Sequence, residues 1–392
     1  MAEQDIQVLW DGLADLHRSY HEYRETRPQR RRRQYVRREH VPFLGQRTRT
    51  FDEYFAVFDE HHFKHYTRLI PTEFELLHDR LSSLLQHPPT HASPITSRQR
   101  LFIYLRYVGH GYTFAALAEE VHCGVSTVQG IVCEVAGAIR SALHDEAFPP
   151  LTRQQLEDVA IKTLVRYDYP RAVGFMDGKH INIKKPAHSG GTYYNYKGNH
   201  SIILLALVDC DHRILAFDVG APGRVGDAGV YMRSNIKRMV DNNDHLFPPT
   251  RNLGNVGPVQ YHILVDCGFA QGYRFVRPYT HARADTPSKR RFNAKHSSAR
   301  QVVESTFGML SKRFGLLQNT IQMEATRAAE IVTSLLVLHN LIIGWRADDR
   351  DVEGMPVNRE LEPLEEVRRE VEGGAQDAVR ARELIRTYFD TR

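Results

Sequence analysis

The apolar residues of this 392-residue chain change their spacing at about Arg171. Between about Phe51 and Leu143 they recur every three or four residues, which is typical of amphipathic helices packed on one another. Beyond Arg171 the pattern is that of strands separated by polar turns, with apolar runs at 172–183, 201–208, 213–219 and 261–265. The sequence therefore predicts an all-helical part followed by an α/β part with a sheet.

Composition limits the class of protein. Hydrophobic residues make up 42% of the chain and charged residues 25%, as in a globular protein with a substantial core. The apolar stretches 201–208 and 331–343 are too short or too interrupted to cross a bilayer, and the first residues lack a signal-peptide pattern. We expect an intracellular protein with no membrane partner. The four cysteines have no paired spacing, which argues against a disulfide framework or a zinc site.

Three acidic residues lie in three different settings. Asp177 ends the apolar run Val-Gly-Phe-Met, Asp266 follows His-Ile-Leu-Val, and Glu304 lies on a helix with an apolar side. The order strand, strand, strand, helix, strand, helix, with the acids in these places, is the outline of an RNase H-like core. In that fold the first and fourth strands are neighbours, so the acids would converge. The alternative for each is an acid that merely ends a strand or is solvated on a helix.

Converging carboxylates suit one kind of chemistry. They can hold two divalent cations about 3.5–4 Å apart for in-line attack on a phosphodiester. Hard oxygen ligands favour Mg²⁺ or Mn²⁺. Asp177, Asp266 and Glu304 are thus the predicted catalytic and metal-binding residues. Asp227 follows a glycine-rich loop, and it is predicted to be either the N-cap of the next helix or a fourth ligand.

Several helix boundaries can be predicted. Residues 114–121 and 126–139 read as two helices around a short turn, the second opened by a capping box of Ser126 and Gln129. This outline is typical of a DNA-binding helix-turn-helix and equally of an αα-hairpin in the core. Residues after Asp227 are predicted to form one helix. The stretch 271–296 is predicted to be a loop, followed by a helix capped by Ser298 and Gln301.

Candidate DNA contacts follow from these elements. The predicted second helix of the helix-turn-helix offers Ser126, Thr127, Gln129 and Arg140. The first strand and the loop after it offer His180, Tyr196 and Lys197, which could equally be packing residues and a solvated lysine. The basic stretch and the helix that carries Glu304 offer Arg290, Arg291, Lys295, Arg300, Lys312 and Arg313.

Four segments are expected: a basic, loosely ordered arm (1–50), a helical domain (51–150, with the helix-turn-helix at about 114–142), the α/β catalytic domain (165–345) and an acidic tail with a terminal helix (346–392). The net charge is +5, but arginines are concentrated between positions 27 and 38. Such a run suits phosphate contacts or nuclear import, or is a solvated arm.

Ordered motifs along the second half resemble the PIF/Harbinger transposase superfamily and its domesticated nuclease-like relatives. They are Met176-Asp-Gly-Lys-His180, Pro222-Gly-Arg-Val-Gly-Asp227, Val265-Asp-Cys-Gly268, Phe292-Asn293 with Arg300, Val303-Glu-Ser-Thr-Phe-Gly308 with Lys312-Arg-Phe314, and Leu338-His-Asn340. The likeness covers about residues 171–343. The family usually has Gly-Thr-His where this chain has Gly178-Lys179-His180, and Ser-Gly-Tyr where it has Cys267-Gly268-Phe269, so fine geometry or specificity could differ.

The resemblance implies a DDE endonuclease and strand transferase that uses Mg²⁺ or Mn²⁺. The positions of Asp177, Asp266 and Glu304 would be the catalytic acids, and that of Asp227 is often a metal ligand. Double-stranded DNA would be the partner, as transposon terminal inverted repeats and a target site. A Myb/SANT-like accessory DNA-binding protein, a homo-oligomer and a nuclear location, or a cytoplasmic one without that partner, are also implied. The alternatives are a domesticated protein that no longer cuts and an RNase H-like nuclease for RNA or hybrids.

Overall fold

The computed structural model describes residue 42 and residues 59–88, 94–348 and 375–391. The predicted basic arm, with its arginine run, lies outside these residues apart from position 42, and so does most of the acidic tail. Predictions for those two segments therefore stay predictions.

From residue 59 onward the described chain forms a layer of helices whose ends follow from local sequence. They are α1 (Glu60–Thr67), α2 (Pro71–Leu85), α3 (Ser97–His110), α4 (Phe114–Glu120), α5 (Val125–Ala147) and α6 (Arg153–Tyr167). Threonine side chains at positions 96, 113 and 152 accept hydrogen bonds from the first turns of α3, α4 and α6. The apolar side of α5 is buried against α2, α3 and α4.

A five-stranded mixed sheet follows. Its strands are β1 (Ala172–Asn182), β2 (Ser201–Val208), β3 (Ile214–Pro222), β6 (His262–Leu264) and β7 (Phe275–Val276), in the order β3-β2-β1-β6-β7. β1–β2 and β2–β3 are antiparallel, whereas β1–β6 and β6–β7 are parallel. The predicted pairing of the first strand with the strand before Asp266 is confirmed. A separate two-stranded hairpin pairs β4 (Arg251–Asn252) with β5 (Pro258–Val259).

Helices cover the sheet. They are α7 (Asp227–Tyr231), α8 (Asn235–Asn242), α9 (Pro287–Arg313), α10 (Ala325–Asp348) and α11 (Ala375–Asp390). α10 packs on α5 from one side and β3 from the other, so the helical layer and the sheet share one hydrophobic core. By length and composition the segment Ala325–Arg346 could span a membrane, but 67% of its apolar window is buried within the protein. Residues 331–342 are buried apart from Thr333, which explains why that part of the helix is apolar all round.

Three predicted boundaries are wrong. α5 begins at Val125 with Gly124 as its N-cap, so Ser126 is inside the helix and caps nothing. α9 begins at Pro287, eleven residues before Ser298, because Thr286 caps it through the Lys289 amide and proline suits the first turn. The helix predicted after Asp227 is two short helices, since Ser234 caps a new helix at Asn235.

The segment predicted as a loop also contains a strand. β7 lies within 271–296 and extends the sheet beyond β6, with Ile263 paired to Phe275. Two residues are too few to give a periodic signal. The terminal helix α11 packs against α9 and β7, and the Tyr279 hydroxyl donates to Glu383 at 2.7 Å.

Candidate active site

Register in the sheet places Asp177 and Asp266 side by side. Phe175 of β1 pairs with Leu264 of β6, and each acid lies two residues further along its own strand direction. Because the strands are parallel and side chains alternate, both carboxylates project from the same face at the same level. The sheet therefore brings together two acids that are 89 positions apart (266 − 177).

Asp177 is the more enclosed of the two, with 17% of its side chain exposed. Its Oδ1 accepts from the Gly178 amide at 2.9 Å, and its Oδ2 accepts from Nη1 of Arg300 at 3.0 Å. Burial raises the pKa of this carboxyl, Arg300 and the Gly178 amide oppose the rise, and the nearby charge of Asp266 adds to it. The carboxylates of Asp177 and Asp266 thus lie close together although burial disfavours the charged form of Asp177.

Asp266 is held by its own turn. Its Oδ1 accepts from the Gly268 amide at 2.9 Å, and a Cβ at position 268 would lie 3.1 Å from the same oxygen. Glycine lets the backbone fold back over the carboxylate. The neighbouring Cys267 is exposed, so the departure from the usual family residue lies at the rim of the site.

Asp227 reaches the other side of Asp177. A Cβ on Gly178 would lie 2.2 Å from Oδ1 of Asp227, so only glycine leaves room for that carboxylate. Burial and the charge of Asp266 raise the pKa of Asp227. The N-cap alternative for Asp227 is wrong, because the cap residue of α7 is Gly226 and it makes no side-chain cap bond. Its role as a ligand stays a prediction.

Glu304 approaches from α9. Its carboxylate is 54% exposed and is paired with Arg300, one turn earlier on the same helix. Arg300 therefore bridges Glu304 and Asp177, with only 19% of its own side chain exposed. The guanidinium of Arg300 thus lies between the carboxylates of Glu304 and Asp177. A metal ion shared by these two acids would lie in the same place.

The donor set fits a divalent metal ion. Four hard carboxylates come from four separate elements, and the space at Gly178 is shaped for one of them. In the described part of the chain, groups of three potential ligands with all atoms within 4.8 Å occur at the start of α1 and on α2, not among these four acids. Two of the four carboxylates, those of Asp177 and Glu304, are instead paired with Arg300.

Replacing Arg300 by Ala should destabilise the metal-free protein and strengthen its response to Mn²⁺. Charge-assisted hydrogen bonds to a partly buried carboxylate are worth about 2 kcal/mol, and their loss leaves Asp177 without its cationic partner beside the like charge of Asp266. Mn²⁺ would then restore more thermal stability than it adds to the wild type. Differential scanning fluorimetry across a Mn²⁺ titration measures both effects.

Lys289→Ala is the matched control, since Lys289 lies in the first turn of the same helix and pairs with Asp285 just before it. It should change stability by less than about 1 kcal/mol and leave the Mn²⁺ response unchanged. A wild-type Mn²⁺ response equal to that of Arg300→Ala would show that Arg300 does not compete with metal.

The residues predicted to bind DNA lie in several separate places. His180 and Tyr196 line the same cavity as Asp227, and Tyr196 is 82% exposed there. Its exposure contradicts the packing alternative for that ring. Lys197 lies over the Tyr196 ring, with Nζ 5.5 Å from the centroid.

The remaining basic candidates are mostly engaged elsewhere. Arg140 pairs with Glu330 of α10, Arg291 with Asp390 of α11, and Lys295 with Asp168 after α6. Arg290 donates to backbone carbonyls at the start of α9, and the largely buried Arg313 contacts His339. Lys312 is exposed on α9, while Ser126, Thr127 and Gln129 lie in the first turns of α5. None of these placements tests a contact with DNA.

Sequence reasoning missed three residues beside the acids. Lys185, His200 and Arg224 line a cavity that also contains Asp227 and Tyr196. They come from the long β1–β2 connection and the loop before α7, whose proximity depends on tertiary structure. The sequence signal for them was the motif Pro222-Gly223-Arg224. Its glycine packs directly on Ser201, next to His200, and so brings Arg224 to the cavity.

Comparison with known proteins agrees with this geometry. Residues 176–340 match the DDE superfamily endonuclease family. "Protein ALP1-like" of Arabidopsis thaliana is 24% identical over 275 residues, covering 69% of this chain and 66% of that protein. "Putative nuclease HARBI1" is 23% identical in Bos taurus over 317 residues and 24% in Homo sapiens over 322, in each case covering 79% of this chain and 85% of the relative. No solved structure gives a significant match.

The matched region starts one residue before Asp177 and ends at Asn340, so it contains all four acids, β6, α7, α9 and β1 from Met176 onward. The family resemblance predicted from the motifs is confirmed. The chain carries a DDE superfamily endonuclease domain and is homologous to the ALP1-like and HARBI1 proteins.

Proposed function

We propose that this protein is a divalent-metal-dependent DNA endonuclease whose site is Asp177, Asp227, Asp266 and Glu304. The observation that carries the proposal is the register of β1 and β6, which sets two carboxylates side by side, with Asp227 packed on Gly178 and Glu304 linked through Arg300. The strand order supports an RNase H-like assignment for the core.

Each acid has a distinct part in the proposed site. Bound Mg²⁺ or Mn²⁺ would activate a water or a 3′-hydroxyl of the DNA and stabilise the leaving oxygen. Asp177 and Asp266 are fixed by backbone amides and would hold their oxygens in one orientation. Glu304, which is more exposed and lies on a helix, would become a further metal ligand once its ion pair with Arg300 is broken. Arg300 would then be free to contact a phosphate oxygen.

A basic cleft supports DNA as the substrate. It has a volume of about 490 Å³ and lies between α1 and the end of α9, lined by His61, Lys64, His65, Arg68, Met309, Lys312, Arg313 and Arg346. Among the residues that the structure describes, none of those lining the cleft is acidic. Lys312 is eight residues after Glu304 on the same helix, or about 12 Å at 1.5 Å per residue. A nucleic-acid backbone leaving the acids along α9 would meet this cleft.

Replacing Lys312 by Ala should weaken DNA binding and flatten its salt dependence. One lost phosphate contact lowers the slope of log K against log salt by about 0.9 for duplex DNA. Fluorescence anisotropy with a labelled duplex at increasing KCl measures the slope. Lys162→Ala, which removes a lysine of α6 that is paired with Asp211, should leave the slope unchanged. Equal slopes for Lys312→Ala and wild type would remove the basic cleft from the DNA path.

The finer proposal is a Harbinger-type transposase that cuts transposon ends and joins them to target DNA. It includes end recognition by α4 and α5 as a helix-turn-helix, a Myb/SANT-like accessory protein, self-association and a nuclear location. The motifs in the sequence and the homology to HARBI1 support it.

A domesticated DNA-binding protein that no longer cuts is the second candidate. The observation in its favour is Arg300, which neutralises two of the four acids in ion pairs. Metal binding distinguishes the two candidate functions. A nuclease would bind Mn²⁺ at the acids, whereas in a non-cleaving protein Arg300 would stay paired with Asp177 and Glu304 when Mn²⁺ is added.

The test is cleavage of labelled duplex DNA by the full chain in Mn²⁺. We expect cleavage by the wild type, none in EDTA, and none by Asp177→Ala or Glu304→Ala. Absence of cleavage by the wild type, or cleavage unchanged in the variants, would overturn the proposal.

A further inference from the structure

A cavity of about 780 Å³ opens beside the acids, next to Asp227. We call it the Tyr196 cavity and define it by His180, Lys185, Tyr194, Tyr196, His200 and Arg224. Its volume falls within the range of about 300–1,000 Å³ that proteins use to enclose small organic groups. The proposed metal chemistry uses Asp227 and leaves the rest of this space unassigned.

Two aromatic pairs form its walls. Tyr196 meets His180 edge-on with ring centroids 5.5 Å apart, and Tyr194 meets His200 with centroids 5.4 Å apart. Tyr194 is 51% exposed and Tyr196 82% exposed, so ring surface is open to a ligand. Flat aromatic surfaces presented in this way stack on planar π systems.

The loop that presents Tyr196 is built rather than loose. Asn195 is buried, and its Oδ1 accepts from the amides of Lys197 and Asn199 at 3.0 and 3.1 Å. Gly198 has φ +80°, which allows the tight return of the chain. The backbone that carries the Tyr196 ring is therefore held in place by the turn around Asn195.

Hydrogen bonding at the wall leaves a donor free. Ser201 Oγ accepts from Asn195 Nδ2 at 2.7 Å and lies 2.9 Å from Nδ1 of His180. The buried Ser201 hydroxyl hydrogen is best satisfied at that Nδ1, which puts the His180 proton on Nε2. The cavity thus offers an N–H beside an aromatic wall, the combination that reads the edge of a nucleobase.

Positive charge lies at the mouth. Lys185 and Arg224 are exposed cavity residues, and the described part of the chain places no carboxylate within ion-pair distance of either. They are available for phosphate oxygens. A phosphate alone would not need two aromatic pairs, and an intact duplex could not insert its stacked base pairs between them.

We propose that the Tyr196 cavity takes a single unpaired nucleotide of the DNA next to the scissile phosphate, with its base against Tyr196 and His180 and its phosphate at Arg224 and Lys185. The inference rests on the proposed nuclease function and adds how the strand is held. Extruding one nucleotide would place the adjoining phosphate at Asp227 and its neighbours, and extrusion costs least where the base is already unpaired.

The test uses two labelled 30-base-pair duplexes, one fully paired and one with a single extra 2-aminopurine as a bulge. Affinity is measured by anisotropy in Ca²⁺, and 2-aminopurine fluorescence reports stacking. We expect the wild type to bind the bulged duplex about 10-fold more tightly, which corresponds to about 1.4 kcal/mol, and to quench its fluorescence.

Tyr196→Ala should bind the two duplexes equally and lose the quenching, and Tyr196→Phe should retain both the preference and the quenching. Equal wild-type affinity for the two duplexes, or a preference that survives Tyr196→Ala, would overturn this inference and leave the nuclease proposal standing. No binding to either duplex would overturn both.

Discussion

Asp266→Asn should lower metal-dependent DNA cleavage by about a thousandfold or more while leaving the fold intact. The amide keeps an oxygen for the Gly268 N–H, so the turn after β6 survives. It removes the charge that a divalent ion would neutralise, and about 4 kcal/mol of lost transition-state stabilisation corresponds to this factor. Single-turnover cleavage of a labelled duplex in Mg²⁺ measures the rate.

Asp241→Asn is the control for this experiment. Asp241 is an exposed acid on α8 that pairs only with Lys237 among the described residues. It should cleave at the wild-type rate and melt at nearly the same temperature. Comparable activity of Asp266→Asn and Asp241→Asn would mean that Asp266 is merely a strand-ending acid.

The protein should lose stability steeply as the pH falls from about 6.5 towards 4. Burial lowers the pKa of His262 on β6 and of His296 on α9 to about 4 each, from an ordinary 6.5. Both rings are fully enclosed and meet Tyr169 edge-on. Because the unfolded chain takes up protons that the fold refuses in this window, acid favours unfolding. The stability contributed by the two neutral histidines is fully present above pH 6.5. Below pH 4, protonation of each histidine in the unfolded chain has lowered the free energy of unfolding by about 3 kcal/mol.

Urea unfolding at a series of pH values measures this slope. His296→Gln should be less stable at pH 7, since it loses the bond to the Val276 carbonyl, but its stability should fall less between pH 6.5 and 4. His281→Gln, at an exposed position, should follow the wild type. A wild-type profile that is flat through this window, or one equally steep in His296→Gln, would contradict the buried-histidine account.

The sheet and its acids could be predicted because their signals are local and strong. The first three strands have 11, 8 and 9 residues, long enough to be recognised as apolar runs, and Asp266 comes just after the strand that pairs in parallel with β1. Knowing that β1 and β6 pair then brings Asp177 and Asp266 together.

The rest depends on tertiary contacts or on very short elements. β7 has two residues, so no period could reveal it. α9 was predicted to start at Ser298 because a polar stretch hid the Thr286-Pro287 start, where an unremarkable threonine cap opens a helix of 27 residues. Sequence spacing gives no side-chain positions. It could therefore not predict that Arg300 bridges Asp177 and Glu304, or which residues form the walls of the Tyr196 cavity.

The most direct test of the central claim, that these carboxylates bind metal for DNA cleavage, is metal rescue of Asp266→Cys. A thiolate accepts Mn²⁺ far better than it accepts Mg²⁺, because Mg²⁺ prefers hard oxygen ligands. Cleavage of labelled duplex DNA is compared in the two metals for the wild type and the variant. The account predicts that the variant is inactive in Mg²⁺ and regains cleavage in Mn²⁺, whereas the wild type cuts in both. Cleavage by Asp266→Cys at the wild-type rate in Mg²⁺, or an equal loss in the two metals, would contradict it.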